Sequence, residues 1–288
     1  MIPGEFDYDR PGDLGGVLRV LKEREGEAKV LAGGHSLLPL LKFRLAAPTV
    51  VVDLRGITGL DAITEGDDGI HIGALATHRQ ILESPVTHAL PLLRETAAGI
   101  GDPQVRNWGT IGGSCAHADP ASDWPAVLLA VNGVLVCRSA DGEREIGARD
   151  FFLDVFTTAI EPTELLMEVR MPRRPRGAGG SYRKLERRAG DFATVGVAVK
   201  LVVADGVISD AGVGVTAVPS PFAATDAEAA LIGNPPTEET FAAAADATAA
   251  QSDPVSDSHG PADYKRAMVR EMAVRALRAA HERAAAHA

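Results

Sequence analysis

Cysteine is nearly absent: the 288 residues hold two, Cys115 and Cys137, with no CxxC spacing and no clustered partners. This chain alone therefore cannot ligate an iron–sulfur cluster, and its cysteine usage fits a reducing compartment. Long apolar stretches are missing as well. No run of 18 uncharged apolar residues occurs, which predicts no membrane span. The opening residues MIPGEFDYDRPGD lack a basic n-region and an apolar h-region, so no signal peptide is expected and the setting is read as cytoplasmic. Positive charge is in deficit, with 29 Lys plus Arg against 39 Asp plus Glu and a formal charge of −10. An acidic chain repels phosphates, which argues against nucleic-acid binding. The exception is the basic run RMPRRPR at Arg170–Arg176, read as a solvated interdomain linker or as a docking surface for a partner.

Several chemical signatures are also lacking. His35, His117 and Asp119 show no HxH or HExxH spacing, which sets aside a metal site. No GxSxG elbow is present, so Ser36 is not a hydrolase nucleophile. Cys115 has no neighbour that lowers its pKa and reads as a small buried side chain. No repeat of 20 to 50 residues is visible.

What is present is ample for a core: 45% of residues are hydrophobic, and the length suggests two domains or one with subdomains. Helices are expected at Gly15–Glu25, from Leu37, at Thr77–Leu82 with Thr77 as N-cap, at Pro91–Ala98 and at Pro125–Val131. Strands are expected at Lys29–Ala32, Pro48–Leu54, His71–Gly73 and Leu165–Met171. Val134–Ser139 and Glu143–Ile146 form a hairpin signalled by Asp141-Gly142. The segment Pro172–Gly180, rich in Pro, Arg and Gly, is the best boundary. Beyond it, strands are read at Ser181–Glu186, Val195–Val203 and Ala211–Val218, with Asp205-Gly206 turning between the last two. Helices near Phe222–Ile232, Thr237–Thr248 and Pro261–Ala286 close the chain. The fold class is α+β, with a mixed N-terminal portion and a smaller antiparallel sheet backed by helices.

Two glycine segments carry the functional signal. In Ala32-Gly33-Gly34-His35-Ser36-Leu37 a strand runs into two glycines and a hydroxyl, and a helix follows. Glycine permits positive φ and close approach of backbone to a ligand, and a helix start leaves amides unpaired. Together they suit a phosphate. A plain strand–turn–helix with Ser36 as cap is the alternative. The loop matches neither GxGxxG nor GxxxxGK[ST]. The second segment, Gly109-Thr110-Ile111-Gly112-Gly113-Ser114, reads as another glycine turn whose Thr110 and Ser114 could donate to phosphate. Asp123, nine residues past Ser114, is either an acceptor for ribose hydroxyls or the N-cap of the next helix. Two matched segments suit a diphosphate cradled from both sides.

These residues resemble the FAD-binding medium subunits of the molybdenum hydroxylases, with motifs most like the aerobic carbon monoxide dehydrogenase branch. Ala32–Ser36 is similar to that family's first flavin loop. Thr110–Ser114, continued by Ala118-Asp119-Pro120-Ala121-Ser122-Asp123, is similar to its second, with Ser114 where the family usually carries Asn. The resemblance covers essentially the whole chain. It implies a two-subdomain, PCMH-type FAD-binding portion over residues 1–176, divided near 55, and a C-terminal flavoprotein domain over 177–288.

The resemblance also implies roles for single residues. Leu166 and Ile100 would contact the flavin ring, Lys184 would reach its pyrimidine edge, and Phe192 would cover it. Read without the family, Leu166 and Phe192 are core residues and Lys184 an exposed strand lysine. The implied cofactor is FAD. The implied partners are an iron–sulfur small subunit and a molybdenum-cofactor large subunit in a dimer of heterotrimers. Electrons would leave for an acceptor such as a quinone, with peripheral membrane association as an option. Substrates oxidised by relatives include carbon monoxide, aldehydes, purines and N-heterocycles. The rival readings are a stand-alone flavin oxidase or reductase and a non-enzymatic nucleotide-binding scaffold.

Overall fold

The computed structural model describes residues 2–287. The chain opens with a small α/β unit: β1 (Asp7–Asp9), α1 (Leu14–Glu23), β2 (Ala28–Leu31), α2 (Leu37–Lys42) and β3 (Val50–Asp53). Its strands are parallel, in the order β1-β3-β2. The middle strand β3, VVVD, is buried throughout, as β-branched residues in a covered parallel strand should be. Asp13 starts α1 by accepting from the Gly16 amide at 2.7 Å. Val17, Leu18 and Leu21 of that helix then pack with Val50 and Val52.

The next segment begins with β4 (Ile63–Glu65) and β5 (Gly69–Gly73), followed by α3 (His78–Glu83), α4 (Pro85–His88), α5 (Pro91–Gly99), α6 (Pro103–Trp108), α7 (Ile111–His117) and α8 (Asp123–Val131). Proline opens α4, α5 and α6, where its missing N–H removes no helical bond and its φ is already set. Then come β6 (Val134–Ser139), β7 (Gly142–Gly147), α9 (Ala148–Phe151), the small hairpin of β8 (Phe152–Asp154) and β9 (Thr157–Thr158), and β10 (Leu165–Pro172). Five of these strands form an antiparallel sheet ordered β4-β5-β10-β6-β7.

The last portion is an antiparallel sheet of β11 (Ala178–Leu185), β12 (Val195–Ala204), β13 (Val207–Thr216) and β14 (Phe222–Ala223), followed by α10 (Thr225–Leu231), α11 (Glu238–Gln251) and α12 (Ala262–Ala285). Asp205 and Gly206 turn β12 into β13 with φ of +52° and +80°, the left-handed pair of a two-residue hairpin. Alternation along β12 joins two cores. Val195, Val197, Val199 and Leu201 pack with α10–α12. Ala198, with Tyr182 of β11, belongs to the core built around α8 and β10. Helix α8 is buried from Asp123 to Ala130, as a helix covered on all sides must be. Among the described residues, no helix is long and apolar enough to cross a membrane.

Four expectations need correction. The expected turn at Gly109–Ser114 is largely the start of α7, with Thr110 as its N-cap. The expected helix from Phe222 begins at Thr225, because Phe222 and Ala223 pair with β13. In the first hairpin Ser139 pairs with Gly142, so the loop is Ala140-Asp141 and the glycine begins a strand. The basic run is not a plain solvated linker. Arg170 sits in β10 and pairs with Glu168 at 2.8 Å, while Arg174 donates to the Ala178 carbonyl at 2.9 Å and to that of Ala89 at 3.3 Å.

Candidate cofactor site

The first glycine segment connects β2 to α2. Gly34 has φ of +77°, which favours glycine. Gly33 serves a different purpose: a Cβ there would lie 1.9 Å from the Trp108 carbonyl oxygen. Its missing side chain lets the loop rest on the end of α6. The amides of Gly33, Gly34, His35 and Ser36 donate to no acceptor among the described residues. Ser36 stands at the N-cap position of α2, yet its hydroxyl makes no capping bond. Four amides and a hydroxyl are thus unengaged among the described residues.

The second segment differs. The Ile111 amide donates to Ala76 O at 3.0 Å and that of Gly112 to Ala74 O at 2.9 Å. Gly113 donates to Thr110 Oγ1 at 3.1 Å, and Ser114 to Thr110 O at 3.0 Å. A Cβ on Gly112 would lie 2.4 Å from Ala74 Cβ and 2.6 Å from Ala74 O. Gly112 therefore seats α7 on the chain leaving β5; it does not clear space for phosphate oxygens. This corrects the expectation of two equivalent amide cradles. What remains for an anion here is the Thr110 amide and hydroxyl proton, which engage no acceptor among the described residues. Ser114 Oγ is 2.5 Å from Ser122 Oγ.

The two segments do touch, since a Cβ on Gly113 would sit 3.7 Å from Ala32 Cβ. They share a cavity of about 830 Å³, within the rough span of 300–1,000 Å³ for small-molecule and cofactor sites. Residues 32–37, Ile100, Thr110, Gly112, Gly113, Ser114, Asp123, Leu166, Lys184 and Phe192 all line it.

Lys184 and Asp123 form a buried pair in its wall. Lys184 is no exposed strand lysine: its side chain is 8% exposed, and Nζ donates to the Gly99 carbonyl at 2.9 Å and to Asp123 Oδ2 at 3.3 Å. Asp123 is not the N-cap of α8, a position held by Ser122. Nor are its oxygens unengaged and waiting for a ribose, because Oδ1 accepts from the Tyr182 hydroxyl at 2.5 Å. Burial pushes the Asp123 carboxyl above its usual range, against the opposing pull of the Lys184 charge and the two hydrogen bonds. Glu186 Oε2 lies 3.4 Å from Lys184 Nζ, without hydrogen-bond geometry, and has no donor among the described residues.

Leu166 is both core and cavity wall: it is buried in β10 beside a bulge, and the bulged Met167 carbonyl accepts from the Ala74 amide at 2.9 Å. Arg106 holds the loop at Ile100, donating from Nη1 to the carbonyls of Ile100 at 3.0 Å and Gly101 at 2.8 Å. Phe192 is 58% exposed, which rules out the core-packing reading and puts it at the rim. Cys115 is fully buried, and burial raises its thiol pKa. Tyr182, Glu186, Arg106, Trp108 and Ala74 were not anticipated from sequence. A signal existed for two of them, since residues 182, 184 and 186 alternate along one side of an expected strand.

The donor set fits a dinucleotide with a reducible ring. It has open amides for a diphosphate, apolar walls at Ile100 and Leu166, and a buried lysine that can face developing negative charge.

Comparison with known proteins agrees. A family model described as "FAD binding domain in molybdopterin dehydrogenase" matches residues 4–174, and one described as "CO dehydrogenase flavoprotein C-terminal domain" matches residues 180–280. The chain is 41% identical over 287 residues to the carbon monoxide dehydrogenase medium chain of Hydrogenophaga pseudoflava, covering 99% of this chain and 100% of that one. It is 40% identical to the 6-hydroxypseudooxynicotine dehydrogenase complex subunit alpha of Paenarthrobacter nicotinovorans, covering 99% and 97%. A solved structure of carbon monoxide dehydrogenase from Hydrogenophaga pseudoflava, lacking the Mo-pyranopterin moiety, matches with a TM-score of 0.95 at 43% identity, over 98% of this chain and 99% of that one.

Proposed function

Because the chain belongs to the family of FAD-binding subunits of molybdopterin dehydrogenases, we propose that it holds FAD in this cavity as the flavin subunit of a molybdenum hydroxylase of the carbon monoxide dehydrogenase type. When bound, FAD supplies a store that takes up electrons singly and releases them in pairs. Both cysteines of the chain are buried and unclustered, so any iron–sulfur donor of electrons belongs to a partner. We assign that partner as an iron–sulfur small subunit, fed by a molybdenum-cofactor large subunit, in a dimer of heterotrimers. An external acceptor such as a quinone, reached by peripheral membrane association, then takes the electrons.

Each residue has a share in this reading. The amides of residues 33–36 and the Ser36 hydroxyl bind the pyrophosphate, helped by Thr110. Ile100 and Leu166 wall the ring, Phe192 covers it from the rim, and Lys184 offers its charge to the ring as it becomes negative. The observation that carries the reading is one cavity shared by unengaged loop amides and a buried Lys184–Asp123 pair contributed by distant parts of the chain.

The test is to purify the complex from its native source through this chain, measure flavin, iron and molybdenum, and then add carbon monoxide. Co-purified subunits with all three constituents, and a flavin that bleaches under carbon monoxide, are expected. Absence of iron and molybdenum from a stable preparation would refute the assignment. Intact constituents with an unbleached flavin favour a second reading, a subunit of an aldehyde, purine or N-heterocycle dehydrogenase. The near-equal identity to the Paenarthrobacter protein, 40% against 41%, motivates that reading. Lys184→Ala should retain flavin while lowering its reduction potential. An unchanged potential removes Lys184 from its assigned part.

A further inference from the structure

Strand β11 presents Tyr182 and Lys184 on the same side, with Glu186 just past its end. The Tyr182 residue is 4% exposed, and its hydroxyl lies against Gly196 of β12, where a Cβ would come within 2.3 Å of it. In this confined place the hydroxyl donates to Asp123 Oδ1 at 2.5 Å, across 59 residues of sequence. The surrounding cluster is unbalanced. Two carboxyl groups, Asp123 and Glu186, face one ammonium, Lys184. Two of the three Lys184 donors go to the Gly99 carbonyl and Asp123 Oδ2 and none to Oδ1, so among the described residues Asp123 Oδ1 has Tyr182 as its donor. The titratable groups acting on Asp123 are Lys184, Tyr182 and Glu186.

We propose that Tyr182 is a positioning residue: its hydroxyl keeps Asp123 ionised and aligned on Lys184, and so sets the charge that the flavin meets at this wall. The inference rests on the flavin-subunit reading. A buried carboxylate deprived of a donor takes up a proton from solvent, and the cluster loses one negative charge. Lys184 is then less opposed, and a ring beside it is easier to reduce.

The experiment compares Tyr182→Phe, Asp123→Asn and the double variant with wild type in the purified complex, reading FAD content, flavin midpoint potential and the infrared carbonyl band of a protonated carboxylic acid. Tyr182→Phe should keep its FAD, shift the potential upward and gain an acid band absent from wild type. Asp123→Asn should shift the potential the same way, with the double variant adding nothing and losing the band. Unchanged potential and infrared spectrum in Tyr182→Phe, with only reduced thermal stability or FAD content, overturns the proposal, as does an additive double variant. The infrared comparison of Tyr182→Phe with wild type can also be made on flavin-free chain. Should the complex carry no FAD, the flavin reading falls while the acid band still decides the role of Tyr182.

Discussion

Ala32-Gly33-Gly34-His35-Ser36 and Thr110-Ile111-Gly112-Gly113-Ser114 are alike as strings, each with adjacent glycines beside hydroxyls, yet the protein uses them differently. In the first, Gly33 lets the loop lie on Trp108, Gly34 takes a positive φ, and four amides are left without acceptors among the described residues. In the second, Thr110 caps a helix, Gly112 packs on Ala74, and the amides of residues 111–114 all have acceptors within the protein. Paired glycines report that something approaches the backbone closely. Whether it is a ligand or another stretch of the same chain depends on what the fold brings there. On the function proposed above, the first segment is the binding element and the second is its buttress.

The largest expected effect breaks this comparison at the glycines. Gly112→Val puts its Cβ into Ala74 and should destabilise the flavin-free chain by about 3 kcal/mol or more, at the upper end of overpacking costs. Thermal or urea denaturation without flavin reads it. Gly33→Val, which collides with the Trp108 carbonyl, should displace the first loop and abolish flavin retention, read as the flavin-to-protein ratio. A Gly112→Val chain of wild-type stability that merely loses flavin would make the second segment a ligand cradle after all.

Next in size is a pH effect on the buttress. His78 donates its amide to Gly109 O at 3.0 Å, and its Nδ1 accepts from Trp124 Nε1 at 3.1 Å. Burial, reinforced by the charges of His35 and Arg106, lowers its pKa from 6.5 to about 4. The unfolded chain therefore binds the proton first as pH falls. Stability from neutral His78 is full above about 6.5 and drains away toward about 4. At 1.36 kcal/mol per unit, this amounts to about 3 kcal/mol. Denaturation midpoints of wild type and His78→Gln should converge or cross as pH falls through that window, and parallel curves would exclude the linkage.

The smallest effects sharpen the contrast. Thr110→Ala removes a helix cap and should cost the flavin-free chain about 1 kcal/mol. Ser36→Ala removes a hydroxyl with no capping bond, so flavin-free stability should not change. FAD affinity should fall by about tenfold or more, the worth of one hydrogen bond to a charged group. Denaturation and FAD titration of both variants separate the two outcomes.

What was legible in the chain follows the range of the forces involved. The Asp205-Gly206 turn and the cap at Thr77 are local, and both form as read. The paired glycines of α7 disfavour a helix on local propensity; the Thr110 cap and packing on Ala74 override that. The family pattern points to Lys184 but not to its partners. Tyr182 and Asp123 meet only after α8 packs on β12 and β13 and β11 pairs with β12, and nothing local in either segment announces the other. Leu166, Lys184 and Phe192 all reach the cavity wall, while the amides of the second segment are taken up partly by distant acceptors, Ala76 O and Ala74 O, that its own residues do not reveal, and partly by the local cap Thr110.

Residue-resolved amide hydrogen exchange, measured with and without FAD, tests the division of labour most directly. Binding should strongly protect the amides of residues 33–36 and leave those of Gly112 and Gly113 as slow as they are in the flavin-free chain. Fast exchange at Gly112 and Gly113 without FAD and strong protection with it, alongside indifference at residues 33–36, would contradict the account.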